Sequence, residues 1–128
     1  MLDRYVEEEI VGVDTLDAKT LAYWRQTLEQ ILQRYADIPN RYSDTREFVV
    51  VGRNLNHFML MKEDWQGKQR FHGFVVHAEI RDGKIWIRYD GIEDGITEEL
   101  VEAGVPKASI VLAFHPPHVR PHTGYAVA

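Results

Sequence analysis

Residues 70–89 read RFHGFVVHAEIRDGKIWIRY, and their reading decides the fold. Two alternating segments flank Asp82-Gly83. An Asp-Gly pair in that setting is the strongest short-range hairpin signal, because both residues tolerate the positive φ of a tight two-residue turn. The register follows: Ile80 opposite Ile85, Ala78 opposite Ile87 and Val76 opposite Tyr89 make one apolar face. A one-residue slip would move the apolar set to the wrong side. The other face pairs Glu79 with Trp86 and His77 with Arg88, with Lys84 beside them. Arg70–Arg81 carries bulky apolar residues on both faces, so it belongs inside a sheet.

Outward from this hairpin the pattern stays antiparallel. Trp65-Gln66-Gly67-Lys68 is a tight-turn signal between Asn56–Lys62 and Arg70–Arg81, and the β-branched Glu47–Val51 precedes them. Under that turn Phe58, Leu60, Phe71 and Val75 are expected beside the polar face, an apolar strip that a helix or another protein must cover. Further upstream, Leu21, Trp24, Leu28, Ile31, Leu32 and Tyr35 fall on one helical stripe. This helix runs from Asp17 to Asp37, with Asp17 or Thr15 as cap and Pro39 as stop. Downstream, a short helix capped by Asp94 or Thr97 ends at Gly104, with Val105 reaching back to Leu100 and Pro106 preventing continuation. Ser109–Phe114 is a short apolar strand. The tail from His115 to His122 holds three prolines and is expected to lie extended on the surface.

The fold class is therefore α+β: an N-terminal amphipathic helix packed on an antiparallel β-meander, then a short helix and a further strand. Residues 1–17 read as an acidic N-terminal arm, loosely ordered or a short anchor for a partner, and residues 18–128 as a single domain.

Composition bounds the function. The chain of 128 residues is 45% hydrophobic and 11% aromatic, which suits a real core and excludes wholesale disorder. It has no cysteine, which removes disulfides, thiolate metal sites and a Cys nucleophile. No apolar run is long enough to span a membrane, and no apolar stretch follows a basic start, so a cytoplasmic location is expected. The net charge is −5, of which residues 1–19 hold −4. The remainder is nearly balanced, a weak footprint for direct DNA binding.

Motifs for chemistry are sparse. There is no phosphate-cradling glycine loop, no Ser elbow and no HExxH pair. His115, His118 and His122 have metal-ligand chemistry, but a proline-rich extended tail does not hold three imidazoles on one side, and no metal is expected there. No cofactor is implied. The polar hairpin face groups a carboxylate, an imidazole and a guanidinium, which can do acid–base work but more often form a solvated face with an Arg88–Trp86 cation–π contact.

Longer blocks carry a resemblance. Asp82-Gly83-Lys84-Ile85-Trp86-Ile87, then Glu99 to Lys107 (ELVEAGVPK), then Ile110-Val111-Leu112 with Phe114-His115-Pro116-Pro117, and Ala126-Val127 resemble the XisI family, the fdxN element excision controlling factors. The helix at 20–37 and His77-Ala78-Glu79-Ile80 agree with it. The resemblance covers residues 18–128. Ser109 stands where the family usually has an acid, Ala113 where it has Gly, and Thr123-Gly124-Tyr125 where it has Thr-Glu-Phe.

That resemblance implies an XisI-like fold and a small protein of cyanobacterial type, without catalytic residues of its own. It implies pairing with an XisH-like protein of nuclease fold, and indirectly with a site-specific recombinase and DNA during heterocyst differentiation. The expected function is thus a non-catalytic accessory factor in DNA recombination. The alternatives are a direct DNA-binding recombination factor using Arg70, Arg81, Lys84 and Arg88, and a small metal-dependent or acid–base enzyme. The candidate partner-binding residues are His77, Glu79, Trp86, Arg88, His115, Arg120 and Tyr125. A homo-oligomer is compatible with this surface.

Overall fold

The computed structural model describes residues 16–39 and 44–128. The expectations for residues 1–15, including a Thr15 cap, lie outside the described residues. Leu16 packs against the core and Asp17 opens the helix.

Helix α1 spans Ala18–Ala36. The Asp17 carboxylate accepts the Thr20 N–H at 2.7 Å, satisfying a free donor of the first turn. The apolar stripe does what its spacing requires: Trp24, Leu28, Ile31 and Leu32 are buried, and Leu21 and Tyr35 pack at the margin. Strands β1 (Arg46–Val51), β2 (His57–Gln66), β3 (Gln69–Arg81), β4 (Lys84–Asp90) and β5 (Ile110–Leu112) form one sheet in that order. The first four run antiparallel, and β5 joins β4 in parallel through helix α2 (Thr97–Glu102).

The decisive hairpin folds as its sequence dictates near the turn. Asp82 and Gly83 have φ of 51° and 74°, and Ile80 pairs with Ile85, Glu79 with Trp86 and Ala78 with Ile87. Beyond that, the expected register is corrected. A β-bulge between Ala78 and His77 sets His77 opposite Tyr89 and Val76 opposite Asp90. Arg88 becomes the extra residue. Tyr89 thereby leaves the apolar side and stands half-exposed, and Asp90 turns inward.

A second bulge corrects the apolar strip. Leu60 pairs with Val76 but Met61 with Phe74, which leaves Val75 as the extra residue on β3. Phe58 and Leu60 therefore sit opposite Ala78 and Val76 in the core, at 1% and 0% exposure, not beside the polar face. Val75 packs against the core and Phe71 stands opposite Asp64. The β2–β3 turn is also tighter than expected, since Gln66 pairs with Gln69 around Gly67-Lys68.

Helix α2 ends in the expected motif. The Gly104 N–H donates to Val101 and the Val105 N–H to Leu100, each at 3.0 Å, and Leu100 and Val105 are both buried. Its start differs: no side chain caps it from Asp94 or Thr97, and the Ile96 N–H donates instead to Asp90. The tail is not extended. It winds through turns, with a 3-10 turn at Arg120–His122, and returns so that the Ala126 N–H meets the Ile110 carbonyl at 2.8 Å.

Candidate functional site

The sheet has two unlike faces. Helices α1 and α2 cover one, where the alternating residues of β2–β5 form the core. Among the described residues the opposite face is covered only at its β5 end, where the tail buries Val111. Strand alternation then leaves Phe48 and Val50 of β1, Met59 and Met61 of β2, and Phe74 of β3 on open ground, with Tyr89 delivered there by its bulge.

At the covered end Trp86 is the centre of a cationic corner. Its indole N–H donates to the Arg81 carbonyl at 2.9 Å. The guanidiniums of Arg88, Arg81 and Arg120 lie 5.0, 5.6 and 5.9 Å from its rings. Each such contact is worth about 0.5–1 kcal/mol at an exposed site. Arg120 is held in place because it donates to the His115 carbonyl at 3.0 Å and the Ala113 carbonyl at 3.4 Å, so it is also the clasp that shapes the tail. The His115 ring meets Phe114 at a tilt of 47°, with centroids 4.6 Å apart. Tyr125 packs against the core margin with Lys107 over its ring.

Next to this corner lies a polar chain. Arg88 donates to Glu79 through Nη2 at 2.8 Å and Nε at 3.1 Å. The other Glu79 oxygen lies 3.3 Å from Nε2 of His57, whose Nδ1 lies 3.1 Å from Nε2 of His77. The geometry suits His57 donating through Nε2 to Glu79 and accepting at Nδ1 from Nε2 of His77. Burial first, and the neighbouring His57 second, hold His77 below the ordinary imidazole value, with Glu79 pulling the other way. The unfolded chain therefore binds this proton more readily. His77 thus contributes stability above the ordinary imidazole value and loses it as pH falls through the native midpoint. His57→Ala rehydrates His77 and removes the repulsion, so the His77 midpoint in an NMR titration is expected to rise. A fall would contradict the arrangement.

The seven residues singled out from the sequence thus separate. His77, Glu79 and Arg88 form the chain on β3–β4, Trp86 joins Arg88 to Arg120, and His115 and Tyr125 belong to the tail. The sequence reading missed His57, because the β2–β3 register that brings it beside His77 and Glu79 includes a bulge. The only available signal was that His57 opens a strand. The tail imidazoles do not converge: among the described residues no group of three or more His, Cys, Asp or Glu side chains could hold a metal ion. Likewise, among the described residues, no helix is long and apolar enough to cross a membrane.

The chain matches the family described as XisI protein over residues 18–127. It is similar to the crystal structure of an XisI-like protein from Anabaena variabilis, at 33% identity and a TM-score of 0.77, covering 84% of this chain and 99% of that one. It is similar also to the fdxN element excision controlling factor XisI from the same organism, at 30% identity and a TM-score of 0.71, covering 84% of this chain and 98% of that one. Among curated proteins none matches.

Proposed function

This chain belongs to the XisI family, and from that membership we propose that it is a controlling factor in the excision of a DNA element, acting through a protein contact at the Trp86 corner and without turnover of its own. The occupant proposed is an XisH-like protein of nuclease fold, through which a recombinase and DNA are reached. The single observation that supports this reading is the corner itself: an indole flanked by three guanidiniums, one of them clasping the tail. Trp and Arg are the residues over-represented at binding hot spots, and a half-buried indole needs little ordering when covered. Nothing in the arrangement pairs a nucleophile with a base. The Glu79–His57–His77 chain lies along an open strand face, where acid–base chemistry has no enclosed substrate to act on.

The test is the affinity for the XisH-like protein. Trp86→Ala is expected to weaken it about thirtyfold, or about 2 kcal/mol, while the distant Trp65→Ala leaves it unchanged, with circular dichroism checking the fold. Equal binding by both variants sinks the reading, and so does cleavage of DNA by the isolated chain. A second reading, direct contact with DNA, draws on Arg81, Lys84 and Arg88 with Arg120 beside them, whereas Arg70 lies at the far end of β3 over Trp65. It requires that a DNA oligonucleotide bind the isolated chain with a steep salt slope.

A further inference from the structure

The open strip on β1–β4 is distinct from the Trp86 corner, and its occupant is a different one. We propose that this strip is the interface between two copies of this chain, packed face to face about a two-fold axis. Phe48, Val50, Met59, Met61, Phe74 and Tyr89 span four strands, with His77 standing between Met59 and Tyr89. Phe74 is 46% exposed and Tyr89 51%, although neither serves the core. Among the described residues no helix, strand or loop forms a layer over them, and contiguous apolar ground of this kind marks an association surface. Its make-up of Met and aromatic residues is that of protein interfaces.

Charge decides who covers it. At one end Glu63 lies 3.6 Å from Arg70, 3.5 Å from His72 and 3.9 Å from Arg46. At the other, Glu79 is held by Arg88 and faces His57. Each carboxylate is answered within its own chain. The strip therefore asks for a surface that is apolar in the middle and already balanced at its ends, and the strip itself is such a surface. A two-fold axis lets one patch serve both sides. Size fits a small interface: β1 has six residues and β4 seven, so four strands about 4.8 Å apart and about 20 Å long cover on the order of 400 Å² in projection. Side-chain relief raises the accessible area, which stays at the low end of specific interfaces, below about 1,200 Å² in total, as suits a weak dimer.

The experiment is sedimentation of the full chain at neutral pH across about 1–200 μM, the range in which a weak-to-moderate dimer is resolved. The expected result is a concentration-dependent doubling of mass. Met61→Glu with Phe74→Glu is expected to raise the dissociation constant at least thirtyfold, and Ile38→Glu, which adds one carboxylate beyond α1, to leave it unchanged. Should the double variant fail to fold, methyl-labelled methionine decides in the unaltered chain: the Met59 and Met61 signals shift on dilution. A monomer at every concentration overturns the proposal, including one whose strip is covered only when the XisH-like protein is added. A dimer that ignores the double variant, or leaves both methyl signals unmoved, overturns it too and places association elsewhere, as at the β1 edge. Because the Trp86 variant is measured against a different molecule, failure here leaves the corner reading intact, and the reverse holds.

Discussion

Phe58→Ala is expected to cost about 3–5 kcal/mol of folding stability, as for large aromatic truncations in a packed core. Phe58 is 1% exposed and pairs with Ala78 on one side and Val51 on the other. Ala78 is small, so the phenyl ring fills the space under α1 that the neighbouring strand leaves. Its removal opens a cavity that short neighbours cannot close. For a chain of this length the loss corresponds to a midpoint about 10–20 °C lower. The measurement also separates two registers. Had the β2–β3 pairing run without its bulge, Phe58 would lie beside the polar face and its truncation would cost about 1 kcal/mol or less. A small loss in thermal or denaturant unfolding would therefore refute the observed placement.

The contrast shows what was legible in the sequence. Helix α1, the Asp82-Gly83 turn and the Gly104-Val105 close are set by neighbours within a few residues, and each formed where its local chemistry put it. The two bulges are not local. Whether Val75 or Arg88 is the extra residue depends on how Phe58, Leu60 and Val76 fit beneath a helix some thirty residues upstream, and one inserted residue reverses every side chain beyond it. So Tyr89 and Phe74 emerged on the open face and Asp90 turned inward. The tail misled for a related reason. Three prolines do forbid a central strand, but Arg120 draws the chain into turns by reaching the His115 and Ala113 carbonyls, a contact that proline content does not encode. The candidate site was legible as a set of residue types on β3 and β4. Its division into a cationic corner and an apolar strip was not, because that division lies across strands.

Asp90→Ala is expected to cost about 2–3 kcal/mol, an effect out of proportion to one residue at a strand end, since hydrogen bonds to charged groups are worth about 1.5–3 kcal/mol each. The bulge that sends Tyr89 outward sends Asp90 inward. There its two carboxylate oxygens accept the Ile92 N–H at 3.2 Å and the Ile96 N–H at 2.8 Å. They close the loop that delivers α2, and Ile96 and Leu100 are fully buried behind it. Gly95 is fitted to this loop, with φ of +71° and a position where a Cβ would come 3.1 Å from the same carboxylate. Alanine at position 90 leaves both N–H groups unanswered, and the one at Ile96 is shielded from water. Burial raises the Asp90 carboxyl above its ordinary value, against the pull of the two N–H donors and with Glu99 adding to the rise. The native state therefore holds this proton more tightly than the unfolded chain. The corresponding stability is complete below the ordinary carboxylate value and is lost as pH rises through the native midpoint. Asp90→Asn removes that slope while keeping one acceptor oxygen, so it should be less destabilised than Asp90→Ala at neutral pH and flatter across the acid range. Denaturant unfolding at several pH values reads both quantities. An Asp90→Ala chain as stable as its parent would show that the loop closes without the carboxylate.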